Sequence, residues 1–312
     1  MTAPDVPAYD ELPTIDALGL RTSWGILRGE LGTLDFLAES AVRDAAHRVQ
    51  SGQVIALSID STLLRPPLNG RPTIKHEFQS TGRNIYEDEL GEFNPQSGSQ
   101  WDGLAHVRAR EFGFYGGITE LEEARERLGV HHWGLRGIAG RGVLVDVARH
   151  RETTGIAWDP FAGQVIEADE IRAILAAQGT ELQPGDILCL RLGWLAEYRL
   201  RQLRGAEGLA DAGLRFSGVA ANDDMVRFLW DARIAAVAAD NPAVESAPGD
   251  AVSGWLHRKL IPGLGFALAE LLDFDALADA CTAREQYDFL FVAAPMALHG
   301  GASSPANAVA IL

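Results

Sequence analysis

A single-domain α/β fold is predicted for this sequence, on three observations. Short apolar runs alternate with stretches of helical periodicity through the second half of the chain. The 312 residues, 47% apolar and 22% charged, suffice for one large core. No repeat, low-complexity tract or evident linker divides them.

Residues 1–32 read as an irregular N-terminal arm, and residues 33–312 as the domain proper. A first helix is expected from about Leu34 to Val49, where Leu37, Ala38, Ala41, Val42, Ala45 and Ala46 recur at helical spacing and Gly52 follows as a stop. Val54 to Ile59 reads as a buried strand. Residues 62–100 are rich in Pro, Gly, Asn and Ser and read as a long irregular segment, of a length that is usually functional or disordered. Thr119-Glu120-Leu121-Glu122 resembles a capping box for a short helix ending near Leu128. Strands are expected at Val143–Val147, Asp186–Arg191, Ile234–Ala239 and Phe289–Ala294. Helices are expected at Ala168–Gln178 and Asp223–Trp230.

The net charge of −16 argues against nucleic-acid or anionic-membrane partners. No apolar run approaches the roughly 20 residues that span a bilayer. The N-terminus lacks the basic start and apolar core of a secretion signal, and only Cys189 and Cys281 occur. A cytoplasmic location is therefore expected. No Gly-x-Ser-x-Gly elbow, Gly-x-Gly-x-x-Gly or P-loop pattern is present, which removes serine-hydrolase and nucleotide-binding readings.

The densest chemistry lies in Gln96-Ser97-Gly98-Ser99-Gln100-Trp101-Asp102-Gly103-Leu104-Ala105-His106. In an extended chain Gln96, Gly98, Gln100 and Asp102 share one face. Trp101 points the other way or forms a pocket wall. His106, four residues after Asp102, can reach the same pocket from a turn.

This segment resembles the metal-dependent hydrolases of the cyclase family, which includes bacterial kynurenine formamidase and isatin hydrolase. Their signature is His-x-Gly-Thr-His-x-Asp-x-Pro-x-His. Gly98, Asp102 and His106 match it, Ser99 stands for threonine, Gln96 and Gln100 replace the first two histidines, and Leu104 replaces proline. Further likenesses follow in the family's order. They are Trp24-Gly25 with Leu31-Gly32-Thr33-Leu34, Gly140 to Asp146, Gly185 to Leu188 with Arg191 to Trp194, His257, Glu270, and the closing Gly300 to Asn307.

The resemblance implies a swivelling β/β/α fold: a mixed sheet with flanking helices. It implies hydrolysis of an amide or lactone, with His106 as acid/base and Asp102 as a further catalytic group; Tyr115, near the motif in sequence, is a candidate donor to the oxyanion. Trp101, Gln96, Gln100 and Phe114 would bind a small-molecule substrate. Asp102, His257 and Glu270, with Gln100 weakly, would hold one divalent metal (Mn, Zn or Mg). An amide oxygen is a poorer ligand than imidazole, so a site without metal is the alternative. A metal-independent cyclase or lyase, and a binding protein without catalysis, are the competing functions. A homodimer or homotetramer is implied, with Leu12, Ile15 and Leu18 of the arm available to cover a neighbouring subunit.

Other polar groups carry weaker expectations. His76 and His299 are candidates for substitute ligands. His131 and His132 are adjacent and point apart. Asp240, Asn241 and Glu245 follow a buried strand and either line the pocket or satisfy a turn.

Overall fold

The computed structural model describes residues 4–205, 215–249 and 254–312. A nine-stranded mixed sheet organises the chain. Its strands are β1 (Val54–Ala56), β4 (Gln100–Asp102), β5 (Ile138–Asp146), β6 (Ile187–Arg191), β7 (Ala236–Ala239), β8 (Ala267–Glu270), β9 (Asp288–Ala293), β10 (Ser303–Pro305) and β11 (Ala308–Ile311). A separate hairpin pairs β2 (Lys75–Gly82) with β3 (Ile85–Gly91). The order across the sheet is β10-β4-β8-β7-β6-β5-β9-β11-β1. The central strands β8, β7, β6 and β5 run parallel, and the flanking strands pair antiparallel.

Composition explains that centre. Ile187 to Leu190 and Ala236 to Ala239 are apolar throughout and buried on both faces, as parallel strands covered by helices must be. The helices are α1 (Glu39–Ala46), α2 (Leu121–Leu128), α3 (His131–Arg136), α4 (Val147–Thr154), α5 (Ala168–Ala177), α6 (Trp194–Leu203), α7 (Asp223–Asp231), α8 (Leu256–Lys259) and α9 (Asp275–Arg284). Inside the core the buried Arg141 of β5 bonds Asp288 at 3.0 Å, and its guanidinium lies 3.4 Å from Asp186. One cation thus serves two carboxylates, as buried charges require.

Several expectations change. The strand expected as buried from Val54 to Ile59 is the short edge strand Val54–Ala56, with Val54 and Ala56 exposed. The capping box expected at Thr119 does not form, and α2 starts without a side-chain cap. The helix expected from Leu34 begins only at Glu39, after a 3-10 turn at Gly32–Phe36. The cause is tertiary: the Thr33 N–H donates to the Gly265 carbonyl at 2.8 Å, and its hydroxyl to that of Ala235 at 2.8 Å. Within residues 62–100 lies the β2–β3 hairpin, whose two strands are exposed along almost their whole length. The N-terminal arm packs on its own chain. Val6, Tyr9 and Leu12 are buried, and the Trp230 indole of α7 donates to the Pro7 carbonyl at 3.0 Å. Leu12 is therefore occupied within its own subunit.

Gly32 is held at φ +56°, and a Cβ there would lie 2.0 Å from the Gly265 carbonyl oxygen. Gly32→Ala combines backbone strain with a clash against backbone that has no room to yield. It should destabilise the fold by at least about 2 kcal/mol. Urea unfolding checks this, and an unchanged midpoint would show that the contact can relax.

Candidate functional site

Strand register assembles the site. β4 lies between β8 and β10, with Gln100 opposite Glu270 and Asp102 opposite Leu268. Gln100 and Asp102 therefore share a face with Glu270, and Trp101 points to the other side. The third contributor is His257 on the short helix α8, which runs directly into a π-turn at Leu260–Leu264. That turn is fixed from behind by the N-terminal segment. Ser23 Oγ donates to the Leu264 carbonyl at 2.9 Å, and the Trp24 indole to that of Pro262 at 2.7 Å.

His257 is the hub. Its Nδ1 lies 2.6 Å from Glu245 Oε2 and its Nε2 lies 2.9 Å from Glu270 Oε1. Asp102 Oδ2 is 3.6 Å from the same Nε2, an electrostatic contact too long for a good hydrogen bond. Gln100 Nε2 donates to Glu270 at 2.7 Å and approaches Asp102 at 3.3 Å, and Gln96 Nε2 donates to Asp102 at 2.8 Å. Arg71, at the root of the hairpin, donates to the Gln96 carbonyl and lies 3.4 Å from Gln100 Oε1.

The charges pull on one another. Burial alone would drive the His257 imidazolium to lose its proton, but Glu245, Asp102 and Glu270 together hold its pKa well above the ordinary histidine value. Burial pushes the Glu270 carboxyl up, and the charge of Asp102 adds to it, raising the pKa to about 8. Asp102 is also pushed up by burial, but His106, His257 and the Gln96 amide outweigh this and hold it below the ordinary carboxylate value.

His106 stands at the opening. Its side chain is 29% exposed, and its Nε2 lies 3.8 Å from Asp102 Oδ2. A turn closed by the His106 N–H on the Gly103 carbonyl, 3.0 Å, brings it back over the strand.

Asp102, His257 and Glu270 each offer a ligand atom, all within 4.8 Å of one another. Two carboxylates and an imidazole whose other nitrogen is held by a third carboxylate suit a single divalent cation. Gln100 does not fit as a fourth ligand in this arrangement, because its amide hydrogens and not its oxygen face the carboxylates.

Several expected site residues lie elsewhere. Trp101 is fully buried, its indole bonded to the Ala306 carbonyl at 3.0 Å and its ring edge-packed on Trp133 and Phe291. Alternation along β4 puts it in the core, so it lines no pocket at the site. Tyr115 is buried beside Gly265 with its hydroxyl 2.9 Å from Ser23 Oγ, and burial raises its pKa to about 12. That hydroxyl braces the π-turn and is spoken for as an oxyanion donor. Phe114 is a core residue under the Arg108 guanidinium. His76 bonds Asp88 on the exposed hairpin, and His299 pairs with Glu126 on the surface. Asp240 and Asn241 satisfy turns: Asp240 accepts from the Leu192 and Gly193 N–H groups, and Asn241 accepts from the Val244 N–H. Glu245 does the opposite and reaches the site. Arg71 was hidden from sequence reasoning inside the long segment, which offers no periodicity to mark it.

The sheet and the segments beside it thus gather three carboxylates and two histidines, of which Asp102, His257 and Glu270 could hold a metal ion. Residues 63–246, more than half of the chain, match the model of the Cyclase family ("Putative cyclase"), so the chain belongs to the cyclase family. A crystal structure described as a novel cyclase superposes with a TM-score of 0.79 at 28% identity, covering 93% of this chain and 99% of its own. An isatin hydrolase bound to the product analogue thioisatinate matches with a TM-score of 0.58 at 17% identity, over 88% of this chain and 98% of its own. Isatin hydrolase A from Labrenzia aggregata, bound to benzyl benzoate, gives 0.57 at 14%, over 83% and 93%. These two are alike in fold. No curated protein matches the sequence.

Burial also raises the pKa of Asp240 to about 7, against the pull of the Leu192 and Gly193 N–H groups and Arg191. The folded state then holds this proton to a higher pH than the unfolded chain, whose carboxyl titrates near 3.8. The contribution of Asp240 to stability should therefore fall as pH rises from that value towards 7. Carbon NMR of the Asp240 carboxyl should show a midpoint near 7, and one near 4 would show that the backbone donors outweigh burial.

Proposed function

We propose that this protein is a hydrolase that cleaves a small amide or lactone, with Asp102, His257 and Glu270 holding one divalent cation and His106 moving the proton. The observation that carries the reading is a half-open imidazole set beside a buried cluster of two carboxylates and a carboxylate-braced histidine.

When bound, the cation supplies Lewis-acid activation of water and carbonyl. The remaining roles belong to the chain. Glu245 fixes the ring of His257 through Nδ1, leaving Nε2 directed at the other two carboxylates. Asp102 stays ionised and favours the imidazolium of His106 whenever that ring takes a proton. His106, more exposed than Asp102 or His257, would meet substrate, accept a proton from the nucleophilic water and return it to the leaving nitrogen or oxygen. Gln96 and Gln100 hold the carboxylates in place by donating to them.

A second reading, a metal-independent cyclase or lyase, is favoured by one observation. The two glutamine amides already satisfy lone pairs on Asp102 and Glu270 that a cation would otherwise take.

The readings separate by experiment. Chelator-treated protein should regain activity on an amide or lactone when Mn²⁺ or Zn²⁺ is returned, and absence of both metal uptake and metal response overturns the hydrolase reading. His106→Ala should lower kcat by about 10²–10⁴ with little change in metal affinity. Glu245→Gln should instead weaken metal binding by about 10–100-fold, read by calorimetry.

We further propose that a second copy of the chain covers the hairpin. One face carries Phe78, Tyr86 and Leu90, with Phe78 67% and Tyr86 61% exposed, and the two rings stack at 5.2 Å. The opposite face carries Glu77, Glu87 and Glu89. Among the described residues no other strand pairs with this ribbon, and an isolated two-stranded hairpin is marginal in water. Packing this face against its copy across a two-fold axis buries the rings while Glu77, Glu87 and Glu89 stay solvated, and Asp88, which shares the aromatic face, is paired there with His76. Light scattering should show a dimer or tetramer that Phe78→Ser with Tyr86→Ser dissociates. A monomeric parent protein overturns this.

A further inference from the structure

One cavity departs sharply from the acidity of the chain. It has a volume of about 350 Å³, and its charged lining consists of Arg21, Arg108, Arg110, Arg258, Lys259 and a single acid, Asp223. In a protein with 43 acidic and 27 basic side chains, five cations around one concavity are not a random sample of the surface.

Two of the five are already neutralised. Lys259 pairs with Asp223 at 2.7 Å, and Arg21 pairs with Asp10 at 3.5 Å. Arg108, Arg110 and Arg258 have no carboxylate partner among the described residues. Arg108 is nevertheless held in place, 5.1 Å above the Phe114 ring and within 3.4 Å of the Thr119 carbonyl. Arg110 is fixed in the left-handed region at φ +50°, a conformation that costs energy for a side chain of this type. Apolar groups complete the wall, among them Trp255, which is 37% exposed, and Leu20.

The same two segments carry the imidazoles of the candidate site. Arg108 follows His106 by two residues, and Arg258 follows His257 directly. The chain therefore allows at most about 7 Å between the Cα atoms of each cation and its imidazole.

We propose that this cavity binds an organic carboxylate, whose anionic group is held by Arg108, Arg110 and Arg258 and whose apolar or aromatic body lies against Trp255. This inference stands apart from the hydrolase reading, because none of Asp102, His106, His257 and Glu270 lines the cavity. Guanidinium forks match a planar carboxylate in charge and geometry, and the volume suits a ligand of one ring.

Binding is separable from catalysis. Calorimetry on the chelator-treated full chain uses benzoate, neutral benzamide and inorganic phosphate as probes. Benzoate should bind with a Kd below about 10 mM and at least about tenfold tighter than benzamide or phosphate. Arg108→Gln and Arg258→Gln, both at exposed positions, should each weaken benzoate about tenfold or more, whereas Arg172→Gln, outside the cavity, should not. Absence of benzoate binding, equal binding of benzamide, preference for phosphate, or indifference to both arginine variants overturns the proposal. A protein that binds benzoate through these arginines yet cleaves no amide or lactone retains the anion site and loses the hydrolase reading. Hydrolysis without arginine-dependent benzoate binding does the reverse.

Discussion

Three buried carboxylates share one imidazole, and much of the molecule follows from the need to keep them there. Removing a carboxylate from water costs several kcal/mol even after relaxation. Asp102, Glu245 and Glu270 are all nearly inaccessible, so the cluster survives only if donors surround it. His257 supplies two, the amides of Gln96 and Gln100 supply the next, and His106 approaches Asp102 from the open side at 3.8 Å. The proposed cation would take the place of the proton on His257 Nε2, so that positive charge between Asp102 and Glu270 is exchanged and not merely added.

The fold supplies those donors from far apart in sequence. Antiparallel pairing of β4 with β8 sets Gln100 against Glu270, and a slip of one residue would send Gln100 and Asp102 into the core and Trp101 into the site. The position of His257 depends on a different set of contacts. Its helix is one turn long and cannot be rigid on its own. The π-turn behind it is held by Ser23, Trp24, Tyr115 and the Gly32–Gly265 approach. The N-terminal residues and Tyr115 thus serve the site at a distance, as supports of the segment that presents the hub.

Much of this is legible in the sequence. Continuous apolar runs marked the central parallel strands, because residues buried on both faces leave no alternation to confuse. Asp102 and His106 were visible as a local pattern, and His257 and Glu270 through family resemblance. Failures came where tertiary contacts override local pattern. Aromatic residues near the motif read as pocket walls, yet Trp101, Phe114 and Tyr115 are core, because a bulky apolar ring beside a site gains more from burial than from lining it. Glu245 and Asp240 looked equivalent in sequence. Only the fold shows that one braces His257 while the other closes a turn.

The glutamines mark where the family pattern and this chain part company. Imidazole at positions 96 and 100 would offer a lone pair to a metal, whereas the Gln100 amide offers hydrogens to Asp102 and Glu270. Its orientation is not free. Oε1 faces the Arg71 guanidinium at 3.4 Å, and turning the amide to present that oxygen to a cation would set its hydrogens against a group that can only donate. Arg71 also holds the Gln96 backbone and stands at the root of the β2–β3 hairpin. Both glutamines therefore take the role of donor to the carboxylates. That role is fixed by a cation from the segment that carries the exposed ribbon, which places any partner of the hairpin one residue network away from the carboxylates.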